Sequence, residues 1–170
     1  MEILDEQLET YLSPEEEDWE LFIGPRADYY LAQWQKFERQ AAKISLNIPA
    51  LVFNVYWFVY RKMYRYAIGC VLVFQVLNLA MSSYLLNYYR YFPINPLPYI
   101  FCGLLGNWLY YHHAQKKITQ IKQQYPNPKT SRREIQATGQ TSLFSVFVLF
   151  FMNQIGIGLI NSLYYLIFFY

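Results

Sequence analysis

The sequence predicts an all-α integral membrane protein with about three transmembrane helices. To these it adds one short membrane-dipping apolar segment and a short helical soluble head at the N-terminus. Three observations carry this reading. Only 15% of the 170 residues are charged, against about 25% in an ordinary soluble domain. Long uncharged apolar runs occupy 66–86 and 143–170. Tyr and Trp gather at the ends of the apolar runs, as at Tyr56, Trp57, Tyr60, Tyr64 and Tyr66, at Tyr84, Tyr88, Tyr89 and Tyr91, and at Trp108, Tyr110 and Tyr111. That placement is the aromatic belt of a water–lipid boundary.

The head comprises residues 1–47. Its first twenty residues hold many acids, among them Glu15, Glu16, Glu17 and Asp18, and no Lys or Arg. This is the opposite of the basic start of a secretory signal, and none is expected. Ser13-Pro14-Glu15-Glu16 combines a cap, a first-turn proline and a capping box, so a helix begins there. Gly24-Pro25 ends it. A second helix starts near Ala27, with Ala27, Tyr30, Leu31, Trp34, Phe37 and Ala41 at helical spacing. Tyr30, Trp34 and Phe37 form its aromatic stripe, the candidate interaction face. The stripe suits a membrane surface, a partner protein or the rest of this chain.

The membrane domain is expected to cover 48–170. Its first run, Ile48 to Tyr60 within the segment 48–65, is too short to cross a hydrocarbon core of about 30 Å at about 1.5 Å per residue. Residues 66–86 form a span of full length. Pro93, Pro96 and Pro98 mark a loop, and 97–113 form a second span. A basic stretch at 114–142 carries Lys116, Lys117, Lys122, Lys129, Arg132 and Arg133, with Pro126 and Pro128 breaking its helix. The last run, 143–170, is most simply one tilted span. It lacks the polar face that a helix of a soluble bundle keeps.

Cations in short loops favour the cytoplasmic side. Arg61 to Arg65 and the loop 114–142 are therefore placed inside, and 87–96 outside. The head is inside if 48–60 dips and outside if it crosses. The shortness of that run favours dipping.

Three stretches also carry a family resemblance. They are Phe22-Ile23-Gly24-Pro25-Arg26-Ala27-Asp28-Tyr29-Tyr30 leading to Trp34, Trp57-Phe58-Val59-Tyr60-Arg61-Lys62-Met63-Tyr64, and Gly106-Asn107-Trp108-Leu109-Tyr110-Tyr111. Their order and spacing resemble a bacterial inner-membrane family catalogued as domain of unknown function 2628, over roughly residues 21–125. The resemblance implies a multi-pass protein of the bacterial inner membrane and supplies no activity, cofactor or catalytic residue. Family members often have Gly-Pro where this chain has Asn54-Val55. A Gly-Pro would break the helix and support a dipping hairpin; without it, a continuous helix through Tyr60 becomes available.

No phosphate-binding glycine loop and no nucleophile elbow is present. His112 and His113, the only histidines, point about 100° apart on a helix and make poor joint ligands. Cys70 and Cys102 read as small buried hydrophobes, and nothing in the sequence argues for a disulfide. No cofactor or metal is expected, and nucleic acid is not an expected partner. Within the spans, Gln75, Asn78 and Ser82 share a helical face, and Asn107 joins them as a candidate intramembrane polar residue. Such groups line a polar path or bond between helices. No ionisable Asp, Glu, Lys or Arg lies in the spans, which counts against a coupled pump. The basic loop suits anionic lipid headgroups, and the acidic head is expected to project into solvent and to suit a basic partner.

Apart from the lipid bilayer, the expected partners are a protein bound through residues 1–47 and a second copy of the chain. The leading reading is a non-enzymatic scaffold or accessory subunit of a membrane complex. A small oligomeric channel or transporter is the alternative, and a membrane enzyme comes third.

Overall fold

The computed structural model describes residues 14–40, 43–80 and 96–169. Every regular element among them is a helix: α1 (Pro14–Ile23), α2 (Ala27–Gln40), α3 (Ile48–Phe53), α4 (Val55–Tyr60), α5 (Tyr64–Ala80), α6 (Leu97–Gln124), α7 (Pro128–Gly139) and α8 (Leu143–Phe169). They fall into two compact units, one of residues 1–45 and 107–140 and the other of 46–106 and 141–170. Helix α6 contributes to both, changing unit between Gly106 and Asn107.

In the first unit, α1 ends at Gly24, whose φ of 76° is the left-handed conformation that glycine adopts without strain. The Gly24 amide donates to the Glu20 carbonyl, and Ala27 closes the turn onto Gly24. Helix α7 begins on Asn127, whose side chain accepts from the Lys129 amide at 3.0 Å, with Pro128 in the first turn. It ends at Gly139, where a Cβ would overlap the Phe22 carbonyl oxygen and lie 2.6 Å from Phe22 Cα. Only glycine lets α1 and α7 approach that closely. The basic stretch expected at 114–142 is thus largely helical, and two of its helices build this unit.

In the second unit the run 48–60 is broken. Asn47 caps α3 by accepting from the Ala50 amide at 3.0 Å, and its own amide donates to the Gly103 carbonyl at 2.8 Å. At Asn54 the backbone turns to φ 51°, ψ −127°, a region open mainly to glycine. Helix α4 then starts afresh. The continuous helix that Asn54-Val55 made available does not form. Asn tolerates positive φ better than other side chains, and its Oδ1 is held by a hydrogen bond from the Cys102 thiol at 2.9 Å.

Helix α4 stops in a Schellman motif, with Lys62 left-handed at φ 57°. The Lys62 amide donates to Val59 and the Met63 amide to Phe58, and Met63 is fully buried behind them. The chain then enters α5. Ser142 opens α8 as its cap, accepting from the Ser145 amide at 3.2 Å. The Ser142 amide donates to the Tyr60 carbonyl, and Tyr64 and Ser145 hydroxyls bond at 2.8 Å. The turn after α4 and the start of α8 therefore lie together. Gly103 and Gly106 meet α3 closely: an added Cβ would sit 2.8 Å from Leu51 Cβ and 3.0 Å from Ala50 Cβ.

Among the described residues one helical stretch, Pro128–Gly156, is long and apolar enough to cross a membrane by length and composition. Its apolar part is the first half of α8. A shorter apolar helix covers Tyr64–Leu77. Of the three spans expected from the sequence, the last is thus the one in which a described helix is long and apolar enough to cross.

Candidate functional site

A dense group of polar and aromatic side chains lies in the first unit, around Trp34. Helical spacing on α2 points Tyr30, Trp34 and Phe37 to one side, and all three are buried. Helix α6 supplies Tyr110 and Tyr111 and α1 supplies Trp19 and Phe22. Trp34 meets Trp19, Tyr110 and Tyr111 edge-on, with ring centroids 5.4–5.5 Å apart. Tyr30 meets Tyr110 at 5.1 Å. Such pairs add to the burial of large apolar areas. Of the coverings that the stripe suits, the rest of this chain is the one found. Tyr30, Trp34 and Phe37 do not point outward to a partner; they are filled from within by α1 and α6. The helical period shows that a stripe needs covering, and only the fold shows what covers it.

Asn107 is fully buried in the same unit. Its amide donates to the Tyr29 hydroxyl at 3.1 Å and to the Ser45 hydroxyl at 2.9 Å. It ties α6 to α2 and to the segment after it. On α5, Gln75 is exposed among apolar neighbours. Asn78 lies in α5, and Ser82 lies outside the described residues.

Two acids of α1 are held by cations of the same chain. Glu17 pairs with Arg132 of α7, and Asp18, buried, pairs with Lys122 of α6. Glu17 and Asp18 are therefore occupied by the chain's own basic stretch, and Lys122 and Arg132 are committed as well. Tyr111 donates to Glu38 at 3.0 Å. Burial, helped by that carboxylate, pushes its phenol up to about 12. His112 lies against Trp108 at 4.5 Å, while His113 faces Phe22 at 6.2 Å. The two imidazoles have different neighbours. Burial, with Lys117 nearby, holds His113 down to about 4, so it is neutral at pH 7.

Among the described residues, no three His, Cys, Asp or Glu side chains converge as a metal site requires. Two open grooves border α1. One, of about 550 Å³, has Glu17, Glu20, Asp28 and Arg132 on its rim. The other, of about 360 Å³, is lined by Asp18, Trp19, Ile118 and Lys122. Each groove carries a cation already paired with a carboxylate. These arrangements hold the helices of the unit together.

Sequence reasoning missed two backbone positions, Asn54 and Lys62. The signal for the first was present: the Gly-Pro that the resemblance puts at 54–55 suits a positive φ followed by a new helix. Lys62 gave no signal, because lysine is not a usual left-handed residue. The Trp57–Tyr64 motif nevertheless contains the whole helix stop, with Met63 as its buried apolar residue.

No curated protein and no solved structure matches the chain. A family model described as "Protein of unknown function (DUF2628)" matches residues 14–116. That stretch covers α1 to α5 and most of α6, including the aromatic cluster, the break at Asn54 and the stop at Lys62. The match takes in more than half of the chain, and the protein belongs to this family of unknown function.

Proposed function

We propose that the protein is a multi-pass membrane protein that acts as a non-enzymatic scaffold or accessory subunit, with its first unit as the partner-facing part. The observation that carries this reading is the contrast between the units. The first encloses an aromatic core behind a charged surface. The second leaves large apolar side chains uncovered on its helices, including Phe53 of α3, Leu72 and Val76 of α5, and Phe144, Phe147 and Phe151 of α8. Side chains of that size left exposed along entire helices suit lipid.

In this reading α5, the first part of α6 and α8 cross the bilayer, and α3 with α4 dips into it. The proximity of Tyr60 and Ser142 supports placing Arg61–Arg65 and the basic stretch on one side, the cytoplasmic one. The membrane is then the bacterial inner membrane that the family resemblance implies. Gln75, exposed on an apolar face, favours self-association through interhelical hydrogen bonds. This is the one observation on the side of an oligomeric channel.

Partner contact falls to the outward charges of the first unit, such as Lys36, Arg39, Lys116 and Arg133, because Tyr30, Trp34 and Phe37 are enclosed. Amine-reactive crosslinking of the full chain in native membranes, followed by mass spectrometry, tests this. A defined second protein should crosslink and be lost when Lys36 and Arg39 are both changed to Glu. Crosslinks only between copies of the chain, lost instead in Gln75→Leu, would overturn the scaffold reading in favour of the oligomer.

A further inference from the structure

The charges of the chain are divided unevenly between the two units. All 12 Asp and Glu residues lie in the segments of the first unit, and those of the second hold none. The second unit nevertheless carries Arg61, Lys62 and Arg65 close together, in the turn before α5 and in its first turn. No carboxylate of that unit can balance them. Arg61 is buried, with its guanidinium 6.0 Å from the centre of the Tyr60 ring. Lys62 is half-buried and Arg65 is exposed, and Arg65 makes no ion pair among the described residues. The basic stretch on α6 and α7 differs, because its Lys122 and Arg132 already hold acids of α1.

Beside these cations the start of α5 meets the start of α8. The Tyr64 and Ser145 hydroxyls bond at 2.8 Å, as do those of Ser145 and Ser142. The Ser142 oxygen also accepts from the Ser145 amide. Three hydroxyl hydrogens thus serve two bonds, so one hydroxyl remains able to donate outward, and Tyr64 is 45% exposed. The N-terminal dipoles of both helices add to the positive potential of the cations. Beyond this point the helix faces that carry Tyr64 and Ser145 continue in exposed apolar side chains, Ile68 and Leu72 on α5 and Val148 and Met152 on α8. A positive, hydroxyl-bearing end joined to uncovered apolar faces is complementary to an anionic amphiphile.

We propose that Lys62, Arg65 and the Tyr64–Ser145 hydroxyl pair bind the phosphate of an anionic phospholipid, whose acyl chains lie along the apolar faces of α5 and α8. This site rests on the membrane reading above and gives it a lipid partner of defined charge. Charge complementarity is the reason. The phosphate supplies the negative charge that the unit lacks, and its oxygens accept from the cations and from the hydroxyl. A zwitterionic lipid offers the same phosphate but brings its own ammonium to the site, and is bound more weakly.

In the test, the full chain is purified in a neutral detergent and its lipid adducts are weighed by native mass spectrometry. The probes are dioleoylphosphatidylglycerol, dioleoylphosphatidylcholine and inorganic phosphate. A saturable one-to-one adduct with phosphatidylglycerol is expected, about tenfold tighter than with phosphatidylcholine and not displaced by inorganic phosphate. Lys62→Gln combined with Arg65→Gln should weaken it about tenfold. Lys117→Gln combined with Lys129→Gln, which removes the same charge from the basic stretch, should leave it. Equal binding of the two lipids, displacement by inorganic phosphate, or an adduct unchanged in the first pair of substitutions would each overturn the proposal. The lipid comparison uses the native chain, so it does not depend on a variant folding. Alkaline carbonate extraction of native membranes separates two failures. A chain released by carbonate defeats the membrane reading and this site with it, whereas a chain retained there without lipid preference defeats the site alone.

Discussion

Two residues hold backbone conformations that their side chains resist. Asn54 has φ 51°, ψ −127° and Lys62 has φ 57°. A strained backbone position of this kind costs of the order of 1–3 kcal/mol. Asn54→Gly relieves that strain but loses the bond from Cys102, worth about 1 kcal/mol. The expected net effect is a small gain, whereas Asn54→Ala loses the bond and keeps the strain, for a loss of about 1–2 kcal/mol. The sign difference between the two in thermal unfolding tests the break. Lys62 makes a simpler case, because its role in the helix stop rests on its backbone. Lys62→Gly should stabilise the chain by about 1 kcal/mol, read as a rise in Tm. A fall would show that the side chain, not the left-handed turn, sets that position.

At the scale of elements, the contact of α1 with α7 is the most sensitive to substitution. A methyl group at Gly139 meets Phe22 backbone, which cannot move aside as a flexible side chain would. Gly139→Ala should therefore cost about 3 kcal/mol, the upper end of overpacking. Its signature is early loss of near-UV circular dichroism from the Trp34 cluster. The same packing gives a pH dependence. His113, of the first unit, has its folded pKa lowered to about 4 from the ordinary histidine value of 6.5. Its contribution is present above the unfolded value and is lost as pH falls through the window from about 6.5 to about 4. Unfolding midpoints measured across that window should fall with pH, and His113→Gln should flatten the curve. An unchanged curve in the variant would assign the pH dependence to other groups.

For the whole molecule, the proposed arrangement orders the sides of the membrane. Epitope tags inserted at Lys62 and after Gln140 should be accessible from the same face, and a tag within 87–96 from the opposite face. The proximity of Tyr60 to Ser142 is the reason to expect the first pair together. If a tag after Gln140 is reached only from the face that reaches 87–96, α6 does not cross and the three-span arrangement fails.

The helical class, the head followed by apolar runs, the turn at Gly24-Pro25 and the stripe of Tyr30, Trp34 and Phe37 are all determined by the sequence itself. Each depends on local chemistry: helix periodicity, caps, and runs without charge. The tertiary structure alone decided what the stripe faces, where Asn107 finds its partners, and which cations hold Glu17 and Asp18. Each of those pairings joins residues far apart in the chain. Periodicity shows that a face must be buried or a charge satisfied, but it carries no information about the partner. The break at Asn54 lies between the two cases. A residue tolerant of positive φ was visible in the sequence, but the bond from Cys102 that helps to hold it there depends on how α6 packs against α3.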